Sequence, residues 1–336
     1  LYQPQTSPKP YFQLLHQKRA TELFLSAVRL DLFSHLENWA TAAEVAAHTG
    51  CNARNLSFVL NALACLGLLE KRATLYSNTA QSNEFLNKNS PVYLGECILF
   101  RERMLSLQNL DKRIRQGPEE TVVCHNQGVA VYDFYESARV GTAEMYAGRV
   151  QSLLAAARQL FTERAPRKIL DLGGGSGILG LELVLAYPGS QGVIFEHPSV
   201  ARLPRVISAE RGLTERIAVL EGDFNHDAIG NGYDLIIASG ILDFAKDHLD
   251  ALMAKIYHAL TAAGYLYLVT HKVSEDYQAP PESILGWLSS HLDGLDILLS
   301  KQVIDQALAK HGFRKIQTKA IDGAFHNLQG EFYGKE

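Results

Sequence analysis

Three acidic residues stand in or just beyond short apolar runs of this 336-residue chain: Asp171 in Ile169-Leu170-Asp171-Leu172, Glu196 after Gly192–Phe195, and Asp223 after Ile217–Leu220. The first opens onto Gly173-Gly174-Gly175-Ser176-Gly177, where glycines let the backbone turn tightly and approach a ligand closely. Gly175-Ser176-Gly177-Ile178-Leu179-Gly180 also satisfies GxGxxG, the pattern that cradles a dinucleotide pyrophosphate. Charge separates the two readings. A pyrophosphate favours amide donors at a helix N-terminus with no anion beside them, whereas a nucleoside bearing a sulfonium and an ammonium favours carboxylates. Asp171 is placed to favour those positive charges, Glu196 can accept from both ribose hydroxyls, and Asp223 can accept from an adenine amine while Phe224 packs on the ring. The loop therefore suits S-adenosylmethionine better than a nicotinamide dinucleotide, although a dehydrogenase would also use Glu196.

A second constellation follows the next two strands. Ser239-Gly240-Ile241-Leu242-Asp243-Phe244-Ala245-Lys246 lies after one, and Leu268-Val269-Thr270-His271 ends the other. An imidazole with a pKa near about 6.5 is better matched than a carboxylate near about 3.9 to taking a phenolic proton at neutral pH. Asp243 and His271 are thus expected to face each other across a substrate pocket, His271 as general base and Asp243 fixing its tautomer. The plainer alternative makes His271 a strand cap and Asp243 a helix start. Asp243, His271 and His291 could also supply the two histidines and one carboxylate of a non-haem iron site, but their spacing has no metal signature and no metal is expected.

The elements that must position these residues fall into two patterns. Before Pro166 the period is helical. Phe12, Leu15, Ala20, Leu23, Phe24, Ala27, Val28 and Leu32 recur at three- and four-residue spacing, Thr41 and Glu44 form a capping-box signature, and a further helix runs from Asn52 or Ala53 to Gly67. Leu68–Ser77 can then fold as a two-stranded wing, completing a winged-helix order. After Pro166, strands at 168–172, 192–195, 217–220, 233–238 and 265–270 alternate with helices, which predicts an α/β domain with a doubly wound, mostly parallel sheet. A last helix near 301–310 precedes a hairpin of 313–321 and 324–333 turned at Asp322-Gly323. The expected division is a winged-helix-like module over 1–95, a helical bridge over 96–165 and the sheet domain over 166–336. The substrate wall is expected from the bridge and from Pro280–Leu299.

Composition excludes several partners. A net charge of −4 offers no basic face for nucleic acid, and the candidate recognition helix carries only Arg54. No apolar stretch reaches the roughly 18 residues of a membrane span. Leu1–Pro10 shows no signal-peptide pattern, and the four cysteines form no CxxC pair, so reduced thiols and a cytoplasmic location are expected.

On these residues the chain resembles the class I S-adenosylmethionine-dependent methyltransferases of the caffeic acid and acetylserotonin O-methyltransferase family, including bacterial small-molecule enzymes. The likeness runs from the winged-helix module through the bridge to Asp171-Leu172-Gly173-Gly174-Gly175-Ser176-Gly177. It implies a homodimer interlocked through the N-terminal module, Gly173 and Gly175 lining the methionine part of the cofactor, Glu196 on the ribose, and Gly222-Asp223-Phe224 on the adenine. It places Tyr132 against the cofactor, Ser239 where plant enzymes carry a lysine, and Met145 near the substrate, with His291 a further substrate-side candidate. The departure is catalytic: Asp243 stands where the family has histidine, and His271 near its usual glutamate. The implied activity is methyl transfer to a small aromatic or polyketide-like metabolite, most simply at oxygen. Carbon transfer or a reaction without methyl transfer is an alternative, and a ligand-binding transcriptional regulator a more distant one.

Overall fold

The computed structural model describes residues 1–119, 132–318 and 330–336. They form two compact units, Leu1–Arg101 and Glu102–Glu336.

In the first unit, α1 (Lys9–Arg29) leads through a 3-10 turn to β1 (Ala40–Thr41), α2 (Ala42–Thr49), α3 (Ala53–Cys65), β2 (Leu69–Arg72), β3 (Leu75–Asn78) and α4 (Ala80–Leu86). The capping box is present: Glu44 N–H donates to Thr41 Oγ1 (3.3 Å) and Thr41 N–H to Glu44 Oε2 (2.7 Å). Asn52 caps α3. The wing gains a third strand that the sequence pattern does not reveal, because β1 has only two residues, paired with Leu75 and Tyr76. Leu32, Phe33, Leu60 and Leu63 fill this unit's core. Arg54 lies over the Phe58 ring, 5.3 Å from its centroid. No described helix of the chain is long and apolar enough to cross a membrane.

After α5 (Gly95–Met104), the second unit continues with α6 (Leu110–Gln116), α7 (Phe134–Glu144), a π-helical turn (Met145–Arg149) and α8 (Val150–Leu160). The sheet domain then runs β4 (Lys168–Leu172), α9 (Ile178–Ala186), β5 (Gln191–Glu196), α10 (Arg202–Glu210), β6 (Ile217–Glu221), β7 (Tyr233–Ser239), a 3-10 turn (Leu242–His248), α11 (Leu249–Ala259), β8 (Leu260–Val269), α12 (Pro281–Leu292), α13 (Lys301–Lys310), β9 (Phe313–Ile316) and β10 (Glu331–Lys335). The described strands form a seven-stranded sheet in the order β6-β5-β4-β7-β8-β10-β9. It is parallel except for β10, which pairs antiparallel with both neighbours. The expected hairpin is therefore the β9–β10 pair, with its turn outside the described residues.

β8 begins earlier than its apolar run suggests. The sequence pattern predicts the strand from 265, yet α11 passes directly into it at Leu260, with a pairing irregularity opposite Tyr233–Leu235. Alternation builds two cores. Leu170, Leu172, Ile236, Ala238, Leu266 and Leu268 pack on one face, and Ile169, Leu235, Ile237, Tyr267 and Val269 on the other. Burial on both faces explains why these strands read as nearly unbroken apolar runs.

Candidate active site

The sheet reverses direction of travel at β4, and ligands of such folds bind beyond the carboxyl ends of the strands at that point. Three backbone bonds pin the loops there. Gly173 N–H donates to Phe195 O (2.8 Å), Gly222 N–H to Glu196 O (3.1 Å) and Gly240 N–H to Val269 O (3.0 Å).

The glycine loop is bare backbone because little else fits. Gly173 has φ +62, and a Cβ there would stand 2.7 Å from Ile241 Cγ2 and 3.5 Å from the Phe224 ring. Gly177, φ +75, starts α9, and a Cβ there would collide with Ile194. Ala138 of α7 lies over Gly175. Behind the loop sit two buried acids. Asp171 Oδ2 accepts from Gly180 N–H (2.9 Å), and burial pushes this carboxyl up to about 7. Glu196 Oε2 accepts from Gly175 N–H (2.6 Å) and Oε1 from His197 N–H (2.7 Å), while burial raises its pKa too. Desolvation disfavours both charges, and a nearby cation would restore them. A glycine crook before two such carboxylates fits a sulfonium nucleoside. Asp223 is more open: Oδ1 accepts from Asn225 N–H (2.8 Å), and its side chain is 46% exposed. Phe224 is half-buried beside Gly173. Ser239 ends β7, half-buried and paired with Val269.

Asp243 and His271 do come together, with His271 Nε2 3.5 Å from Asp243 Oδ2. Asp243 is buried, and its Oδ1 accepts from Leu299 N–H (2.8 Å). Burial raises the Asp243 pKa and lowers that of His271, while each charged partner opposes the other's shift. The chain turns sharply after the histidine, with Lys272 in the left-handed region at φ +52. Trp287 N–H donates to His271 Nε2 (3.3 Å).

Around this pair stand four aromatic rings. Phe134 and Phe244 meet edge to face at 5.3 Å, Phe244 and Trp287 at 6.1 Å, and Tyr132 lies 6.5 Å from Phe244 and 6.4 Å from Trp287. Tyr132 also shares a hydrogen bond with Ser290. Phe134, Phe244 and Trp287 are absent from the sequence-based site. Phe244 borders Asp243, and Trp287 is one of only two tryptophans, inside the segment expected to wall the pocket. Met145 lies in the π-helical turn and packs against the core. His291 faces Asp296 (Nδ1 to Oδ1, 4.0 Å), and burial lowers its pKa. Among the described residues no group of three or more His, Cys, Asp or Glu is arranged to hold a metal ion.

The sheet order, the glycine crook and the acid ending β5 define a class I methyltransferase. The chain belongs to the O-methyltransferase domain family, which residues 108–294 match, and residues 12–88 match the O-methyltransferase dimerisation domain. It is an S-adenosylmethionine-dependent methyltransferase. One similar protein is the 3-hydroxy-5-methyl-1-naphthoate 3-O-methyltransferase of Streptomyces sahachiroi, 28% identical over 273 residues that cover 79% of this chain and 77% of the relative. Another is the tetracenomycin polyketide synthesis 8-O-methyl transferase of Streptomyces glaucescens, 27% identical over 94% of each chain. Human N-acetylserotonin methyltransferase, solved in complex with its S-adenosylmethionine, shares the fold with a TM-score of 0.75 at 22% identity over 99% of each chain.

Proposed function

We propose that the chain methylates a hydroxyl of a planar aromatic or polyketide-derived metabolite, with His271 as general base and Asp243 balancing its charge. The observation that carries this reading is the ring of Tyr132, Phe134, Phe244 and Trp287 standing against the Asp243–His271 pair. Aromatic walls select flat apolar substrates, and a neutral imidazole accepts a proton at neutral pH. When bound, S-adenosylmethionine supplies a methyl group activated on sulfonium. Gly173 and Gly175 would hold its methionine part, with Asp171 countering the positive charge from behind, Glu196 would hold the ribose, and Asp223 and Phe224 the adenine. Tyr132 would stand between cofactor and acceptor, Ser239 would border the cofactor, and Met145 and His291 the acceptor. The functional division is a dimerisation module over 1–95, a bridge over 96–165 and the methyltransferase domain over 166–336.

Methyl-labelled cofactor offered with a panel of naphthols, hydroxynaphthoates and hydroxyanthraquinones tests the reaction. Label recovered as an aryl methyl ether supports it; label on carbon, or product without label, overturns it. His271→Gln should lower turnover by roughly 10²- to 10⁴-fold. Turnover near wild type would remove His271 from the role of base.

We also read the N-terminal module as the homodimer interface. Tyr11, Phe12, Leu14 and Leu15 of α1 are exposed, as is Phe58 of α3, apolar surface that a second copy would cover. Leu14→Asp with Leu15→Asp should give monomers in sedimentation; an unchanged dimer would place the interface elsewhere.

A further inference from the structure

His271 Nε2 has two neighbours that make opposite demands on it. Trp287 Nε1, 3.3 Å away, can only donate, and so requires a lone pair on the imidazole nitrogen. Asp243 Oδ2, 3.5 Å away, only accepts when ionised, and so requires an N–H there. One nitrogen offers a lone pair or a hydrogen, not both. The indole bond therefore belongs to the neutral ring with its hydrogen on Nδ1, and the ion pair with Asp243 belongs to the imidazolium.

The indole is well placed to act in this way. Its ring meets the imidazole nearly edge-on, 5.6 Å between centroids at 76°. Its helix, α12, is tied down nearby: Arg113 Nη2 donates to Ser289 O (2.6 Å) and to Asp293 Oδ1 (2.8 Å), and Ser289 Oγ donates to Ser106 O (3.1 Å). The charged groups acting on His271 are Asp243 from the turn after β7 and Arg149 from the π-helical turn, with Lys246 acting on Asp243 in turn. Asp243 favours the protonated Nε2 and Trp287 the unprotonated one, whereas Arg149 acts on the ring only through its charge.

We propose that Trp287 is a positioning residue that senses the charge of His271: its N–H holds Nε2 free of a proton and ready to accept one, and yields to the Asp243 pairing once the ring is charged. In the step concerned, the indole N–H gives up the single Nε2 lone pair to the acceptor hydroxyl, whose proton passes to Nε2; the electron pair of the broken O–H bond stays on oxygen, and the imidazolium charge is balanced by the Asp243 carboxylate. This deepens the reading of His271 as the base and rests on it, yet the indole–imidazole contact can be measured without turnover.

Trp39→Phe leaves Trp287 as the sole tryptophan. Its emission, followed from pH 5 to 9 with S-adenosylhomocysteine present, should fall on the acid side in a single titration that disappears when His271→Asn is added. Trp287→Phe keeps a ring but removes the N–H that favours neutral imidazole. The acid limb of its kcat/KM profile should move up by roughly half to one pH unit, with kcat lowered and KM little changed. Flat emission, a titration that survives His271→Asn, or an unmoved acid limb overturns the proposal; should Trp287→Phe fail to fold, the emission titration still decides. A titration that depends on His271 in a protein whose His271→Asn variant turns over normally would support the contact and overturn the base assignment.

Discussion

The proposed cofactor crook and the proposed acceptor pocket lie at the same edge of one sheet but are built in different ways. The crook is contiguous: β4, the glycine turn and the start of α9 span Lys168 to Gly180, and its shape comes from backbone that tolerates no Cβ at Gly173 or Gly177. The pocket is assembled from side chains contributed by four distant stretches, at Tyr132 and Phe134, Asp243 and Phe244, His271, and Trp287. A backbone site of this kind fixes the cofactor. A side-chain site can change its acceptor without disturbing the crook. Substitutions in the two regions should therefore separate into effects on cofactor affinity and effects on acceptor binding and turnover.

Apart from His271 itself, the largest effect on that comparison is expected at the crook. Gly173→Val adds a Cβ at positive φ against Ile241, and strain of about 1–3 kcal/mol together with the steric clash should weaken S-adenosylhomocysteine binding by roughly 100-fold in calorimetry. Binding unchanged would mean the turn is not the cofactor's seat. Next comes Asp243→Asn. Removing the carboxylate that favours imidazolium should lower kcat by roughly 10- to 100-fold and move the acid limb of kcat/KM to lower pH, opposite in sign to Trp287→Phe. A shift to higher pH would contradict the pairing.

Phe244→Ala opens the aromatic ring wall and should raise KM for an aromatic acceptor by about tenfold, while cofactor affinity stays put. A fall in cofactor affinity of similar size would merge the two regions. The smallest effect is a pH linkage at Asp171, whose folded pKa of about 7 lies above its unfolded value. Its contribution to stability is full below the unfolded pKa and is lost as pH rises through about 7, so the free protein should melt lower at pH 8 than at pH 6. A cation bound in front of it would lower that pKa, so S-adenosylmethionine should bind several-fold tighter at pH 8 than at pH 6, with proton release on binding. Affinity flat over that range would detach Asp171 from the cofactor's charge.

The same contrast explains what could be read from sequence. The crook was legible because its chemistry is local: an apolar run, an acid and spaced glycines occur in order, and the structure keeps them in that order at the end of β4. The two-domain pattern, the capping box at Thr41 and the alternating strands were legible for the same reason. Asp243 and His271 could be paired only by assuming that adjacent parallel strands β7 and β8 end side by side, which they do. Phe134 and Trp287 carry no local mark that separates a pocket aromatic from a core one; Trp287 reaches His271 from α12, and Phe134 reaches Phe244 from the start of α7. Asp171 shows the limit from the other side. Its sequence position suggests an acid that favours the cofactor's positive charge, directly or through water, and the fold buries it with Oδ2 bonded to Gly180 N–H, a partner the sequence does not reveal.

The division of labour between crook and pocket is tested most directly by measuring both halves on one variant, His271→Gln, with calorimetric binding of S-adenosylhomocysteine set beside single-turnover methyl transfer from saturating labelled cofactor. Cofactor affinity should stay within about twofold of wild type while methyl transfer slows by roughly 100-fold or more. Transfer at the wild-type rate, or a loss of affinity as large as the loss of rate, would contradict that division.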